Sequence, residues 1–235
     1  MAIHPQLALT MRVSEEAGFD NFLTGANDEL FAWVTGSLTG VSDQACYIWG
    51  SSGCGKTHLL QASVRQRGGI YLPMHDIIKL PPEVLEGLDT RDQVCVDDIE
   101  AIAGAADWEA AMFTLYNACR ESDVRLIIAG HTAPAGLSLV LADLRSRLGG
   151  GLVYALKPLD DDALLKALTD RAERRGLELP EEVGRYLLHR IPRDAASLFG
   201  MLNHLDEASL VSKRRLTIPL VRAVLDDLVA RHVPF

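Results

Sequence analysis

The chain contains no run of eighteen apolar residues, so no membrane-spanning helix is expected. Cysteine is sparse. Cys46, Cys54, Cys95 and Cys119 are scattered without a CxxC pair, which argues for reduced thiols and against a cysteine-built metal site. Positive charge is short as well: 23 Lys and Arg face 32 Asp and Glu, a net charge of −9. Residues 1–158 carry 11 basic and 19 acidic side chains, a balance of −8, whereas residues 159–235 carry 12 and 13, a balance of −1. Duplex DNA is gripped by clustered cations that displace phosphate counterions, so sequence-specific DNA binding is the weaker expectation. The opening "MAIHPQLALTMRVSEE" lacks a charged region followed by a clean apolar stretch. No secretion signal is expected there, and a cytoplasmic location is.

What remains is ordinary globular material. Apolar residues make up 48% of 235 and charged residues 23%, enough for one large core or two modest ones. Short apolar runs alternate with amphipathic ones in the first part. "ACYIWG" (45–50), "GGIYLPM" (68–74), "DQVCVDDI" (92–99), "VRLIIAG" (124–130) and "LVYAL" (152–156) read as five strands. Helices are expected from Lys56 to about Gln66 and from Trp108 to Glu121, the latter with Trp108, Met112, Leu115 and Tyr116 at helical spacing. This alternation predicts a parallel sheet with helices on both faces, an α/β fold. After Pro158 only helical patterns follow, four in number, with Pro180 expected in the first turn of the second.

Two motifs carry chemistry. "GSSGCGKTHLL" (50–60) matches G-x-x-x-x-G-K-[ST] at Gly50, Gly55, Lys56 and Thr57, between a strand and a helix. Glycines there let successive backbone N–H groups converge on phosphates, and the helix N-terminus adds positive potential. Lys56 reaches the outer phosphates and Thr57 holds magnesium. Ser52, Gly53, Cys54 and His58 complete the candidate nucleotide-binding stretch. "VCVDDIE" (94–100) has the Walker B form, an apolar strand delivering Asp97 to the magnesium shell with Asp98 next to it. Asp98 is the candidate for orienting an attacking water, although a glutamate, one methylene longer, commonly stands there.

Those motifs, with "FDNFLTG" (19–25), "GKTHLL" (55–60), "VDDIE" (96–100) and "SRLGGGL" (146–152), resemble in order and spacing the nucleotide-binding module of the bacterial initiator DnaA, an AAA+ protein. "WEAAMFTLYNACRES" and "RRGLELPEEVGRYLLHR" are similar to the Hda-type regulators of that family. Two DnaA features are missing: a basic helix-turn-helix domain after the lid, and room between "IYLPM" and "VCVDD" for the initiator-specific helical insertion. The resemblance implies three segments: an N-terminal arm (1–18), an AAA+ α/β domain (19–158) and an all-α lid (159–235). It implies bound ADP, or ATP, with Mg2+, and Phe22 and Leu23 near the adenine. Arg193 would be the sensor 2 arginine. His131 stands at the sensor 1 position, where the family usually has an aspartate. Gln6, Leu7, Leu9 and Met11 would bind the sliding clamp (the β subunit of the polymerase).

The resemblance further implies a negative regulator of replication initiation. Its partners are DnaA and the DNA-loaded clamp, and its own ATPase is weak or absent. Arg147 would be the arginine finger supplied to DnaA. Arg145, two residues earlier, points elsewhere if "DLRSRLGG" is extended, and faces solvent or an acidic neighbour. A homodimer is left open. Two competing readings are a helicase-loader adaptor that binds single-stranded DNA and an independent NTPase or small-molecule kinase. The first calls for basic and aromatic residues lining a channel, and aromatics are 6% of this acidic chain. The second calls for an arginine-rich substrate lid, unlike residues 159–235.

Overall fold

A computed structural model describes residues 17–37, 44–192, 195–212 and 215–231. The candidate clamp-binding residues Gln6, Leu7, Leu9 and Met11 and the candidate sensor 2 residue Arg193 lie outside the described residues. Five strands form one sheet: β1 (Ala45–Trp49), β2 (Ile70–Pro73), β3 (Gln93–Asp97), β4 (Arg125–Gly130) and β5 (Leu152–Ala155). Their order is β2-β3-β4-β1-β5 and every pairing is parallel. β3 is buried at every position and β4 at all but its first, as strands covered on both faces must be.

Five helices belong to this part: α1 (Asp28–Thr35), α2 (Lys56–Arg67), α3 (Met74–Ile77), α4 (Ala106–Glu121) and α5 (Ala142–Gly150). Two strands are shorter than the sequence pattern predicts. Gly68 and Gly69 have φ of 81° and 98°, left-handed values that no strand accommodates, so β2 starts at Ile70. Asp98 has φ 54° and turns the chain out of the sheet, so β3 stops at Asp97. The condition that "DLRSRLGG" is extended is not met, because the stretch is helical. Leu144 and Leu148, one turn apart, are both buried, and Asp143 lies in the first turn of a helix that ends at Gly150. Between β2 and β3, α3 is followed by 3-10 turns at Pro82–Leu85 and Leu88–Thr90, which send Leu85 and Leu88 into the core.

The lid consists of α6 (Asp161–Arg174), α7 (Glu181–Arg190), α8 (Ala195–Ser212) and α9 (Ile218–Arg231). Asp160 caps α6 by accepting the Ala163 N–H at 2.8 Å. Pro180 stands at the N-cap of α7 rather than inside its first turn, because its carbonyl receives the Val183 and Gly184 N–H groups. Leu168, Leu187, Leu202, Leu205 and Val221 sit in a core of the lid's own. The chain thus forms two compact units, Met1–Ser51 with Lys56–Lys157 and Ser52–Gly55 with Pro158–Phe235. Among the described residues no helix is long and apolar enough to cross a membrane.

Candidate functional site

In a parallel sheet, ligand sites form beyond the carboxyl ends of the strands where their order reverses. β1 lies between β4 and β5 at such a point. Trp49 is in register with Gly130, and the Gly50 N–H donates to the Gly130 carbonyl at 3.2 Å. The phosphate-loop sequence therefore leaves β1 directly beside the end of β4. Gly53 and Gly55 hold φ of 71° and 106°, which L side chains rarely adopt. The loop ends at α2, so its glycines run directly into the helix N-terminus, which adds positive potential there.

Lys56 is 4% exposed, and its Nζ donates to the carbonyls of Gly50 and Ser51 at 2.7 and 3.0 Å. His131 Nδ1 is 3.5 Å from the same Nζ. Thr57 Oγ1 donates to Asp97 Oδ2 at 2.7 Å, and the Tyr71 hydroxyl donates to that oxygen at 2.8 Å. Burial, reinforced by the Asp97 charge, pushes the Tyr71 hydroxyl up from its ordinary pKa, so it stays a donor. Asp97 Oδ1 accepts the Asp98 N–H at 3.1 Å.

Asp98 is flanked by two imidazoles, His131 Nε2 at 3.5 Å and His75 Nε2 at 3.9 Å. Burial and then the Asp97 charge raise its carboxyl pKa, while His75 and His131 oppose the rise. Glu100 Oε1 accepts the backbone N–H groups of His131 and Thr132, and the Tyr47 hydroxyl donates to the Thr132 carbonyl at 2.8 Å. A Cβ at Gly130 would collide with the Tyr47 hydroxyl and the Glu100 carboxylate, so the turn after β4 requires glycine. Tyr71, His75, Glu100 and Tyr47 escaped the sequence reading. "IYLPM" and "VDDIE" contain two of the four, Tyr71 and Glu100, but nothing in their spacing says that β2 and β4 deliver partners to β3.

On the other side of α2, the Phe22 ring stacks on Phe31 at 5.7 Å and lies 5.6 Å from the His58 ring. His58 Nε2 donates to the Gly18 carbonyl at 2.9 Å. Phe22 and Leu23 are half-buried. The donor set fits a nucleotide with its magnesium: N–H groups in a glycine loop, a buried ammonium, and a hydroxyl–carboxylate pair of hard oxygens. Among the described residues no group of three or more His, Cys, Asp or Glu side chains is arranged to hold a metal ion by itself. A divalent ion at Thr57 and Asp97 would complete its shell with phosphate oxygens and water.

The two arginines stand apart from this corner. α5 leads into the amino end of β5, and Leu148 lies beside Ala45, Cys46 and Leu152, where β1 and β5 begin. Gly50 lies at the other end of β1, on the order of 16 Å away along the strand. Arg145 and Arg147 are both exposed, and their side chains make no hydrogen bond or ion pair among the described residues. Two residues along a helix is a turn of about 200°, so they face opposite sides.

Comparison with known proteins adds the following. The bacterial DnaA ATPase domain profile matches residues 13–67 and 83–155, and the Hda lid domain profile matches residues 160–225. Domain III of the Thermotoga maritima replication initiation protein DnaA is 22% identical and covers 92% of this chain and 98% of its own, with a TM-score of 0.79. AMPPCP-bound DnaA from Aquifex aeolicus is 24% identical over 81% of this chain and 65% of its own, TM-score 0.68. The Thermotoga maritima RuvB Holliday junction branch migration motor is 16% identical over 90% of this chain and 72% of its own, TM-score 0.63. At these identities the shared property is the fold, a P-loop sheet domain followed by a helical lid.

Proposed function

We propose, from the premise that this chain belongs to the bacterial DnaA ATPase-domain family and carries the lid of Hda, that it is a nucleotide-bound AAA+ regulator that turns the initiator off. Its partners are DnaA in the ATP state and the sliding clamp on DNA, the latter bound through Gln6, Leu7, Leu9 and Met11. It stimulates ATP hydrolysis by DnaA and is itself a poor ATPase.

The chain's own nucleotide, ADP or ATP, has a structural task. Backbone N–H groups of Gly53 to Thr57 and the Lys56 ammonium hold the phosphates, and Phe22 and Leu23 border the adenine. A magnesium ion bound at Thr57 and Asp97 supplies charge neutralisation for those phosphates. Asp98 is poorly placed to orient water, since His131 and His75 flank its carboxylate. Arg193 belongs to the same reading as the sensor 2 residue.

The observation that carries the reading is Arg147. It is exposed, free of side-chain partners among the described residues, and set toward the end of the sheet opposite the chain's own phosphate loop. A guanidinium so placed is of no use to the nucleotide of its own subunit, yet suits one held at the face of a neighbour. The planar fork of donors meets the charge that spreads over the phosphoryl oxygens in the transition state, and such a group supplied by a partner is worth about 10³–10⁵ in rate. The test is reconstitution: DnaA loaded with ATP, clamp loaded on DNA, and hydrolysis followed with and without this protein. Clamp-dependent acceleration is expected. Equal hydrolysis in both arms would overturn the reading.

A further inference from the structure

Glu109 is fully buried, with none of its surface exposed, although it is a carboxylate on the first turn of α4. Its oxygens accept three backbone N–H groups from two separate segments. Gly104 donates to Oε1 at 2.8 Å, Val140 donates to Oε1 at 3.1 Å, and Leu141 donates to Oε2 at 2.6 Å. Burial works against its charge, yet the hydrogen bonds from Leu141, Val140 and Gly104 outweigh it and hold the carboxyl below the ordinary glutamate range. A buried ion is retained when every lone pair has a donor, and here the donors are backbone groups alone.

The two segments so joined matter. Gly104 follows the 3-10 turn Ile99–Ile102 that begins just after Asp98, and it has φ 84°. Leu141 is the N-cap of α5, and Val140 precedes it. Helix starts leave unsatisfied N–H groups that a side chain normally caps. α5 has no capping side chain of its own; Glu109, more than thirty residues earlier in the chain, takes the Val140 and Leu141 N–H groups just before the helix. Arg147 lies on the same short helix. α5 is held otherwise by Leu144 and Leu148, apolar contacts that fix its depth but give little direction along or around its axis.

We propose that Glu109 is the positioning residue of the Arg147 helix, fixing where α5 begins and hence where the guanidinium is presented to the partner. This rests on the finger reading of Arg147. Displacement of a reacting group by about 1 Å costs up to about 10²-fold, so the effect is large without any contact between Glu109 and the partner's nucleotide.

The test compares Glu109→Gln, Leu141→Pro, Arg147→Ala and the double variant Glu109→Gln/Arg147→Ala in the full reconstituted system. Glu109→Gln keeps the shape but turns one acceptor into an amide donor facing an N–H. Leu141→Pro removes the same bond from the other side, at a φ of −78° that suits proline. Both are expected to lower maximal stimulation by about 10- to 100-fold. The concentration of protein giving half-maximal effect and the thermal shift caused by ADP should stay unchanged. The double variant should be no worse than Arg147→Ala alone, because Glu109 acts only through that arginine. Amide exchange in Glu109→Gln should rise at Gly104, Val140 and Leu141.

Full stimulation by Glu109→Gln while Arg147→Ala is inactive overturns the positioning role and spares the finger. Full stimulation by Arg147→Ala overturns the finger, and the positioning role falls with it. Loss of the ADP shift in both Glu109→Gln and Leu141→Pro assigns Glu109 to the fold as a whole, and also overturns the proposal.

Discussion

The carboxyl ends of the strands and the helix that leads into β5 treat their charged groups in opposite ways. At the carboxyl ends of β1, β3 and β4 the charges meet one another or the backbone. Lys56 is bonded to loop carbonyls, Asp97 to Thr57 and Tyr71, Asp98 lies between two histidines, and Glu100 is bonded to the turn after β4. On the helix before β5 two exposed guanidiniums have no side-chain partner among the described residues. The first arrangement is that of a site closed around a ligand of its own. The second leaves its strongest donors for another molecule. Unpaired surface arginines are common and worth little to stability; what sets this pair apart is a helix held by the buried Leu144 and Leu148 and by the Glu109 hydrogen bonds just before it.

The comparison breaks first at Arg147. Arg147→Ala should fold, bind ADP and bind the clamp, yet lose about 10³–10⁵ of the stimulated hydrolysis rate. Arg147→Lys should fare almost as badly, because it keeps the charge and loses the fork. Single-turnover hydrolysis by ATP-loaded DnaA measures both, and a lysine variant near wild-type rate would mean that charge alone suffices.

The opposite end is tested by Lys56→Ala. A ligand that binds only the folded state stabilises it by about 2.7 kcal/mol at one hundred times its Kd. ADP should therefore raise the melting temperature of the wild type and leave that of Lys56→Ala unmoved. Absence of a shift in the wild type with any adenine nucleotide would remove the phosphate site from the account.

How far the sequence carries depends on whether a feature is local. The five strands and the Lys56 helix were legible because each is a short apolar or amphipathic run with punctuation at its ends. The phosphate loop was legible because its glycines and Lys56 stand at fixed spacing. Partners drawn from different strands were not: Tyr71 reaches Asp97 only because β2 pairs with β3, and Glu100 meets His131 only because β3 pairs with β4. The conformation of α5 was not legible for a similar reason. In "DLRSRLGG" the leucines and arginines favour a helix and the two glycines at the end oppose it, and what decides is the burial of Leu144 and Leu148 in the core.

A third prediction concerns attachment rather than chemistry. Gln6→Ala with Leu9→Ala should weaken clamp binding as much as deletion of residues 1–12 does, roughly 10-fold or more, since a few apolar anchors dominate short-peptide interfaces. ADP binding should be untouched. Surface-bound clamp with the protein as analyte gives the affinity, and equal affinities for all three proteins would place the contact elsewhere.

The smallest expected effect is the sharpest control on the comparison. Arg145 shares with Arg147 its charge, its exposure, its helix and its lack of a side-chain partner among the described residues. If free positive charge near the start of β5 were all that mattered, the two would be interchangeable. Geometry says otherwise, because a turn of about 200° separates them around α5, and a nucleotide held at the face of one partner is reached from one side only. Arg145→Ala should keep the stimulated rate within about twofold of wild type. Its stability should change by less than about 0.5 kcal/mol, as for surface positions away from caps and cores. The same single-turnover assay decides it, repeated at two salt concentrations to expose any long-range steering. A loss at Arg145 as deep as that at Arg147 would mean that α5 presents a charged surface to the initiator and not a single finger.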